Sequence, residues 1–282
     1  MICKAIAVVV LIAVIGMCGL ELWKISSLYN EEARIKNDLA RYHPALWKED
    51  ETSIDSPEYL AAPKSATGTP AADMSAADMS AAVMSAIASA EGYGRPLIYR
   101  ERANSSIADM QTEVNPDVVG WLTIPRTNID YPFVYSEDNE FYLSRNIYKQ
   151  QALAGSIFLD SRCSKDFTDL NTVIYGHNMK NRSMFGHIRL FADPATFDSI
   201  KTGTLYYKND TYALEVFAYM VVAADDKMIY DISPDREELL TYVRKNARLY
   251  REPPAAGRIV TLSTCAYEFD GARMVLFLAA DR

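Results

Sequence analysis

The sequence is poor in cysteine and histidine, with four cysteines and three histidines among 282 residues. No two cysteines have Cys-x-x-Cys spacing, so the sequence excludes a zinc ribbon or finger and a dense disulfide scaffold. Basic residues are also in deficit, since 29 Lys and Arg stand against 37 Asp and Glu for a net charge of −8. This balance argues against a nucleic-acid-binding protein. The carboxylates are scattered rather than spaced as an oxygen-ligand loop, and we expect neither a metal nor another cofactor.

The first 23 residues are interpreted as a membrane anchor. Residues 5–20 carry no charge, and with Trp23 as an interfacial residue they approach the roughly 20 apolar residues of a spanning helix. A secretory signal peptide is the alternative, but the segment Gly-Met-Cys at 16–18 matches a small-x-small cleavage site poorly. We therefore predict an uncleaved, single-pass anchor over residues 1–23.

Residues 24–94 are interpreted as a charged stalk followed by a linker. Within the linker, residues 71–85 contain a five-residue repeat, Ala-Ala-Asp-Met-Ser twice and then Ala-Ala-Val-Met-Ser. A period of five fits neither a coiled-coil heptad nor a solenoid. We interpret this tract, which is rich in Ala, Ser and Met, as a spacer, and a partner-binding helix is the alternative.

The remainder, residues 95–282, has the pattern of a mainly β domain. An amphipathic helix is predicted first, because apolar residues recur about every four positions between residues 98 and 114. Eight short apolar runs separated by turns then predict a closed or nearly closed, eight-stranded β-barrel. The runs are residues 118–124, 129–135, 155–159, 173–175, 204–207, 212–222, 258–262 and 274–279. Helices are predicted at residues 183–191 and, as a long insertion before the cysteine strand, at 235–250.

Cys265 and Arg273 are candidate site residues on neighbouring strands. Cys265 ends one apolar run, and Asp270-Gly271 marks a turn before Arg273 opens the next. Two adjacent antiparallel strands would bring the guanidinium beside the thiol, where it favours thiolate and stabilises an oxyanion at an attacked carbonyl. From spacing alone, a buried structural cysteine beside a surface arginine is the alternative.

His177 is the candidate proton carrier. It follows a short apolar run and Gly176, and a histidine titrates near neutral pH, so it can exchange a proton with a thiol or a leaving amine. His187 and His43 are weaker candidates because neither borders a predicted strand end of the barrel. A cysteine, a histidine and an arginine at three strand ends form a constellation for covalent acyl transfer, in which a thiolate attacks a carbonyl and forms a thioester.

Several short motifs contain or adjoin these candidate residues. The sequence Thr-Leu-Ser-Thr-Cys stands at residues 261–265, and Arg273 follows eight residues after the cysteine. Tyr-Gly-His-Asn-Met stands at 175–179 and Ser-Met-Phe-Gly at 183–186. Together these motifs resemble the sortase family, and class B within it, over residues 99–282. Other segments that match in the family's order are residues 115–125, 129–132, 138–143 and 155–160.

The resemblance implies a sortase-type β-barrel and a cysteine transpeptidase. Cys265 would be the nucleophile that cleaves a sorting motif on a secreted protein, His177 the general acid and base, and Arg273 the support for the oxyanion and the substrate. The substrate groove of the family is shaped by positions that match Asn139, Leu143, Tyr175 and Ser263.

The resemblance also implies partners and a location. We expect secreted proteins with a C-terminal sorting motif, a peptidoglycan precursor or cross-bridge amine that resolves the thioester, and the membrane through the N-terminal helix, but no nucleic acid. Wall attachment happens outside the membrane. We therefore expect the bacterial cell membrane as the location, with a cytoplasmic N-terminus and an extracellular catalytic domain. Anchoring to the wall is favoured over pilin polymerisation.

Other functions for an extracytoplasmic thiol fit less well. An L,D-transpeptidase would show Ser-x-Gly-Cys, and residues 263–265 lack the glycine. A papain-like peptidase would place its cysteine at a helix start before its histidine. A membrane-anchored module that binds peptides without catalysis is the non-enzymatic alternative. Cys163 is expected to be free or structural, because a disulfide to Cys265 would block the nucleophile.

Overall fold

The computed structural model describes residues 17, 20, 26–27, 30–44, 106–207, 210–255 and 257–281. The chain divides into two compact units, Met1–Leu46 with Arg100–Arg282 and Trp47–Tyr99, and all described residues belong to the first. The predicted linker repeat lies outside the described residues, as does the predicted anchor apart from Met17 and Leu20. Among the helices that are described, none has the length and apolar character needed to cross a membrane.

Nine β-strands form within the described residues. They are β1 (Val118–Thr123), β2 (Asp130–Tyr135), β3 (Ile157–Leu159), β4 (Asn171–Tyr175), β5 (Thr202–Tyr207), β6 (Asp210–Ala223), β7 (Leu249–Tyr250), β8 (Arg258–Cys265) and β9 (Ala272–Asp281). Eight of them coincide with the eight predicted runs. The two-residue β7 is additional and replaces the end of the helix predicted at 235–250.

Eight of these strands close into a barrel. Their order is β5-β1-β2-β3-β4-β8-β9-β6, and β6 pairs back onto β5, while β7 adds to β6. Neighbouring strands are antiparallel except for two parallel pairs, β2 with β3 and β4 with β8. The predicted fold class, a mainly β, eight-stranded barrel, is confirmed.

Large apolar side chains fill the main core of the barrel. Phe133 of β2, Phe217 of β6 and Phe277 of β9 belong to one cluster and are fully buried. Removing an aromatic side chain of this size from water stabilises the folded state by about 1.5–3 kcal/mol. The same cluster includes residues of β4 and β8, so the strands that carry the candidate site are packed into the core over most of their length.

Helices cover the outside of the barrel. They are α1 (residues 30–39), α2 (residues 106–113), α3 (Pro194–Ser199) and α4 (Arg236–Asn246), with 3₁₀ turns at Ala40–Tyr42, Phe141–Leu143 and Gly186–Ala192. The Asp235 side chain caps α4 by accepting the backbone N–H of Glu238 at 2.9 Å. This helix is the predicted insertion before the cysteine strand.

The end of the predicted stalk packs against the barrel. Leu39 of α1 and Tyr42 after it are buried in a second apolar cluster that also contains Trp121 of β1. His43 Nε2 lies 3.0 Å from Asp130 Oδ1, and the same carboxylate oxygen accepts the Trp121 Nε1–H at 2.8 Å. Residues 30–44 are therefore part of the unit that contains the barrel.

Candidate active site

Cys265 and Arg273 lie directly opposite one another. Cys265 is the last residue of β8, Arg273 is the second residue of β9, and the two are partners in the antiparallel register. The connecting turn is closed by the Ala266 N–H, which donates to the Ala272 carbonyl at 2.9 Å. Both side chains are partly exposed, and Cys265 is a free thiol. The strand pairing predicted from the turn signal at Asp270-Gly271 is present.

His177 follows the strand that runs parallel to the cysteine strand. Tyr175, the last residue of β4, is the register partner of Ser263 in β8. Beyond that pair, the Gly176 N–H donates to the Ser263 carbonyl at 3.2 Å. The Asn178 amide then donates to the Cys265 carbonyl at 2.9 Å. These contacts bring His177 and Cys265 to the same end of the barrel, two residues beyond the Tyr175 and Ser263 pair.

One hydrogen bond orients the His177 ring. Nε2 lies 2.7 Å from the backbone carbonyl oxygen of Leu143. A carbonyl oxygen only accepts hydrogen bonds, so Nε2 must carry the proton in this contact. Nδ1 is then the nitrogen that is free to take up and release a proton. Sequence reasoning did not find this role for the Leu143 carbonyl, because a backbone acceptor leaves no signal in residue type.

The four residues predicted to shape the substrate groove occupy different positions around this site. Tyr175 and Ser263 are strand partners, and the Ser263 hydroxyl lies 2.9 Å from the Tyr230 hydroxyl. Leu143 is exposed and lies beside His177 through its carbonyl. The side-chain oxygen of Asn139 accepts the backbone N–H of Ser161 at 2.7 Å.

An ion pair between a buried carboxylate and an exposed guanidinium supports the Tyr175 side chain. Asp160 is fully buried, forms two hydrogen bonds with the Arg162 guanidinium at 2.9 and 2.7 Å, and accepts the Tyr175 hydroxyl at 2.8 Å. Burial acts to raise the pKa of Asp160, but the hydrogen bonds from Arg162 outweigh it and hold this pKa below its ordinary value. Burial and the Asp160 charge raise the pKa of Tyr175, which stays a neutral donor.

A groove of about 350 Å³ opens beside Tyr175 and Tyr230. Its remaining lining is mostly charged: Arg162, Asp225, Asp226, Lys227 and Asp231. The Tyr230 backbone carbonyl accepts a hydrogen bond from Arg162 Nη2 at 3.0 Å. The sequence analysis did not single out Tyr230.

The other histidines and the second free cysteine have structural contacts. His43 pairs with Asp130, and His187 Nδ1 accepts the backbone N–H of Asn128 at 2.9 Å. Cys163 is free and buried, as predicted, and burial raises the pKa of its thiol to about 12. Among the residues that the structure describes, no group of His, Cys, Asp and Glu side chains is arranged to hold a metal ion.

The family model for the Sortase domain matches residues 122–280 of this chain. Two curated relatives are similar. Sortase B of Listeria monocytogenes is 39% identical over 177 residues, which is 60% of this chain and 72% of that protein. Sortase B of Staphylococcus aureus is 28% identical over 171 residues, which is 58% of this chain and 70% of that protein.

Solved structures of class B sortases have the same fold. A mutant form of Clostridium perfringens sortase B matches with a TM-score of 0.60 and 30% identity over 66% of this chain and 92% of that one. A Streptococcus pyogenes class B sortase involved in pilus biogenesis matches with a TM-score of 0.58 and 29% identity over 62% of this chain and 97% of that one. The chain therefore belongs to the sortase family of cysteine transpeptidases, in class B.

Proposed function

We propose that this sortase cleaves a sorting motif on secreted surface proteins through a thioester on Cys265 and transfers them to an amine of the cell wall. The observation that carries the proposal is that Cys265, His177 and Arg273 lie at one end of the barrel. Cys265 and Arg273 are strand partners, and His177 is tied to the cysteine strand through the neighbouring Asn178 amide.

In the first half-reaction, the Cys265 sulfur forms a bond to the scissile carbonyl carbon. The thiol proton goes to Nδ1 of His177, since Nε2 is engaged with the Leu143 carbonyl. Negative charge develops on the carbonyl oxygen, and the Arg273 guanidinium stabilises it. The carbon–nitrogen bond then breaks, the leaving amine takes the proton from His177, and the thioester remains on Cys265.

In the second half-reaction, the wall amine attacks the thioester carbonyl. His177 accepts the proton of the attacking amine and returns a proton to the Cys265 sulfur as the carbon–sulfur bond breaks. One amide bond has then replaced another, with no net oxidation and no energy source besides the cleaved bond. The free thiol is regenerated for the next turnover.

The groove beside Tyr175 is the proposed site for the sorting motif. Tyr175 is held by Asp160, Ser263 is held by Tyr230, and the exposed Leu143 flanks His177. Together with Asn139, these residues are proposed to contact the substrate. We further propose that residues 1–23 anchor the protein in the bacterial cell membrane with a cytoplasmic N-terminus, which puts the barrel on the side where wall synthesis takes place.

Peptide transfer to triglycine tests this function. A sortase B is complexed with triglycine in one solved structure of the same fold. The protein is incubated with a panel of sorting-motif peptides and triglycine, and the products are identified by mass spectrometry. We expect a ligated product from the wild type and from His187→Ala, a matched control, but none from Cys265→Ala or His177→Ala. Binding of a panel peptide without cleavage would instead support the non-catalytic module.

Pilin polymerisation is a second candidate. It is favoured by the similarity to the S. pyogenes class B sortase involved in pilus biogenesis. The two functions differ in the accepting amine, because pilin polymerisation uses a lysine side chain. Transfer to a lysine-containing peptide in preference to triglycine and to peptidoglycan amines would select this second function.

A further inference from the structure

We propose that Glu32, on α1, is a positioning residue for the active site. It holds the loop of residues 176–184, which carries His177 and Asn178, and the inference rests on the proposed roles of His177 and Cys265. Glu32 lies outside the barrel and far from the site in sequence. Its carboxylate nevertheless contacts three groups on or beside this loop.

Both carboxylate oxygens of Glu32 are engaged. Oε2 accepts the Ser183 hydroxyl at 2.5 Å and lies 3.4 Å from the Asn181 side-chain amide. Oε1 lies 3.4 Å from the Tyr131 hydroxyl, and that hydroxyl accepts the Met184 backbone N–H at 3.1 Å. Charge-assisted hydrogen bonds of this kind are stronger than those between neutral groups. Glu32 therefore fixes the far side of the loop directly through Ser183 and indirectly through Tyr131.

The near side of the same loop is bonded to the active site. Met184 and Asn178 form an isolated antiparallel bridge, and the Phe185 N–H donates to the His177 carbonyl at 3.0 Å. The Asn178 amide donates to the Cys265 carbonyl at 2.9 Å. A continuous set of contacts therefore joins α1 to the residues on both sides of the proposed proton transfer.

The loop needs support from outside its own sequence. Arg182 and Met184 have φ angles of 65° and 53°, in the left-handed region that non-glycine residues rarely adopt. Such conformations persist where surrounding contacts hold them. Ser183, which lies between these two residues, is buried and donates its hydroxyl to Glu32. The carboxylate is thus positioned to hold the strained segment.

Other contacts keep α1 on the barrel without Glu32. Lys36 donates to the Asn128 carbonyl at 3.1 Å and lies over the Tyr131 ring at 4.2 Å. Leu39 and Tyr42 are buried. A substitution of Glu32 is therefore expected to release the loop while the helix stays in place.

The test measures kcat and KM of the full chain with the panel peptide that the wild type cleaves and with triglycine. The variants are Glu32→Ala, Glu32→Gln, Ser183→Ala and the double variant, with Glu31→Ala as the matched control on the same helix. We expect Glu32→Ala and Ser183→Ala each to lower kcat about tenfold, with KM within about twofold, because a displaced proton carrier slows the reaction. The double variant, with Glu32→Ala and Ser183→Ala together, should lower kcat by no more than either single substitution does. Glu32→Gln keeps an acceptor for Ser183 and should restore kcat to within about threefold.

A kcat for Glu32→Ala within twofold of the wild type would overturn the inference, and so would an equal loss in Glu31→Ala or a rise in KM alone. Thermal unfolding checks that each variant is folded. If Glu32→Ala does not fold, Ser183→Ala decides, because it leaves α1 unchanged. Cys265→Ala and His177→Ala are measured alongside. If Cys265→Ala and His177→Ala keep the wild-type turnover, the proposed function fails regardless of the result for Glu32→Ala. If both lose turnover but Glu32→Ala keeps it, only this inference fails.

Discussion

At the scale of single residues, the proposed chemistry depends on where hydrogen-bond donors point. His177 carries its proton on Nε2 because Leu143 offers a backbone carbonyl at 2.7 Å, and this leaves Nδ1 for proton transfer. Nη1 of Arg273 donates to the Ala272 carbonyl at 3.0 Å. This backbone contact in the turn orients the guanidinium. The sequence predicted His177 and Arg273 as candidates but not the orientation of their side chains, because both contacts are to backbone oxygens.

Arg273→Lys is expected to lower kcat about a hundredfold, the size of loss typical for removing an oxyanion donor. A single ammonium group does not reproduce the planar fork of donors of a guanidinium. Steady-state kinetics of peptide transfer measure the effect. Arg258→Lys, at the opposite end of β8, is the control and should keep its activity. A fully active Arg273→Lys protein would remove arginine-specific geometry from the mechanism.

Asp130→Asn is expected to destabilise the fold in a pH-dependent way. Burial acts to raise the pKa of Asp130, but hydrogen bonds from His43 and Trp121 lower it to about 2. The ordinary value is roughly 4, so the ionised carboxylate contributes its full stability above that pH and loses it as the pH falls toward about 2. The melting temperature of the variant should therefore lie below that of the wild type at pH 5, and the gap should close between about pH 4 and 2. A gap that does not change over this range would contradict the assignment.

At the scale of elements, the predictable parts were those with a repeating apolar pattern. The eight barrel strands follow from short apolar runs, and α4 follows from its Asp235 cap and apolar face. The packing of α1 could not be predicted, because Ile35, Leu39 and Tyr42 are the only members of the apolar cluster among the described residues 30–44. Its partner surface, around Trp121, is formed only when the barrel folds.

Gly155→Ala tests how one loop supports the site. Gly155 has a φ of +56°, and an added Cβ would lie 2.6 Å from the carbonyl oxygens of Leu143 and Tyr142. The substitution should therefore lower the free energy of unfolding by about 2–4 kcal/mol, from backbone strain and overpacking together, and should reduce kcat by displacing the acceptor of His177. Urea denaturation measures the first effect.

Gly271→Ala is the matched control for that measurement. Gly271 has a φ of +74°, but an added Cβ would meet nothing within 4 Å. The free energy of unfolding of Gly271→Ala should fall by only about 1–2 kcal/mol, the part that comes from backbone conformation. Equal decreases in the free energy of unfolding for Gly155→Ala and Gly271→Ala would show that contact between the added Cβ and the Leu143 carbonyl does not destabilise the fold.

At the scale of the whole molecule, the catalytic unit is larger than the barrel. The sequence pattern suggested a domain that begins near residue 95, whereas residues 30–44 pack onto the barrel. The polypeptide of residues 95–282 should therefore be less stable than that of residues 26–282 by at least about 3 kcal/mol, because Leu39 and Tyr42 are lost from the core. Denaturant unfolding of both measures the difference, and equal stabilities would contradict this packing.

The central claim is that Cys265 forms an acyl-enzyme that an amine resolves. Its most direct test is the intact mass of the protein, residues 26–282, after incubation with the sorting-motif panel with and without triglycine. The account predicts a mass increase equal to the N-terminal part of one peptide, mapped to Cys265, absent in Cys265→Ala and discharged by triglycine. A folded protein with reduced Cys265 that shows neither an adduct nor a cleaved peptide across the panel would contradict it.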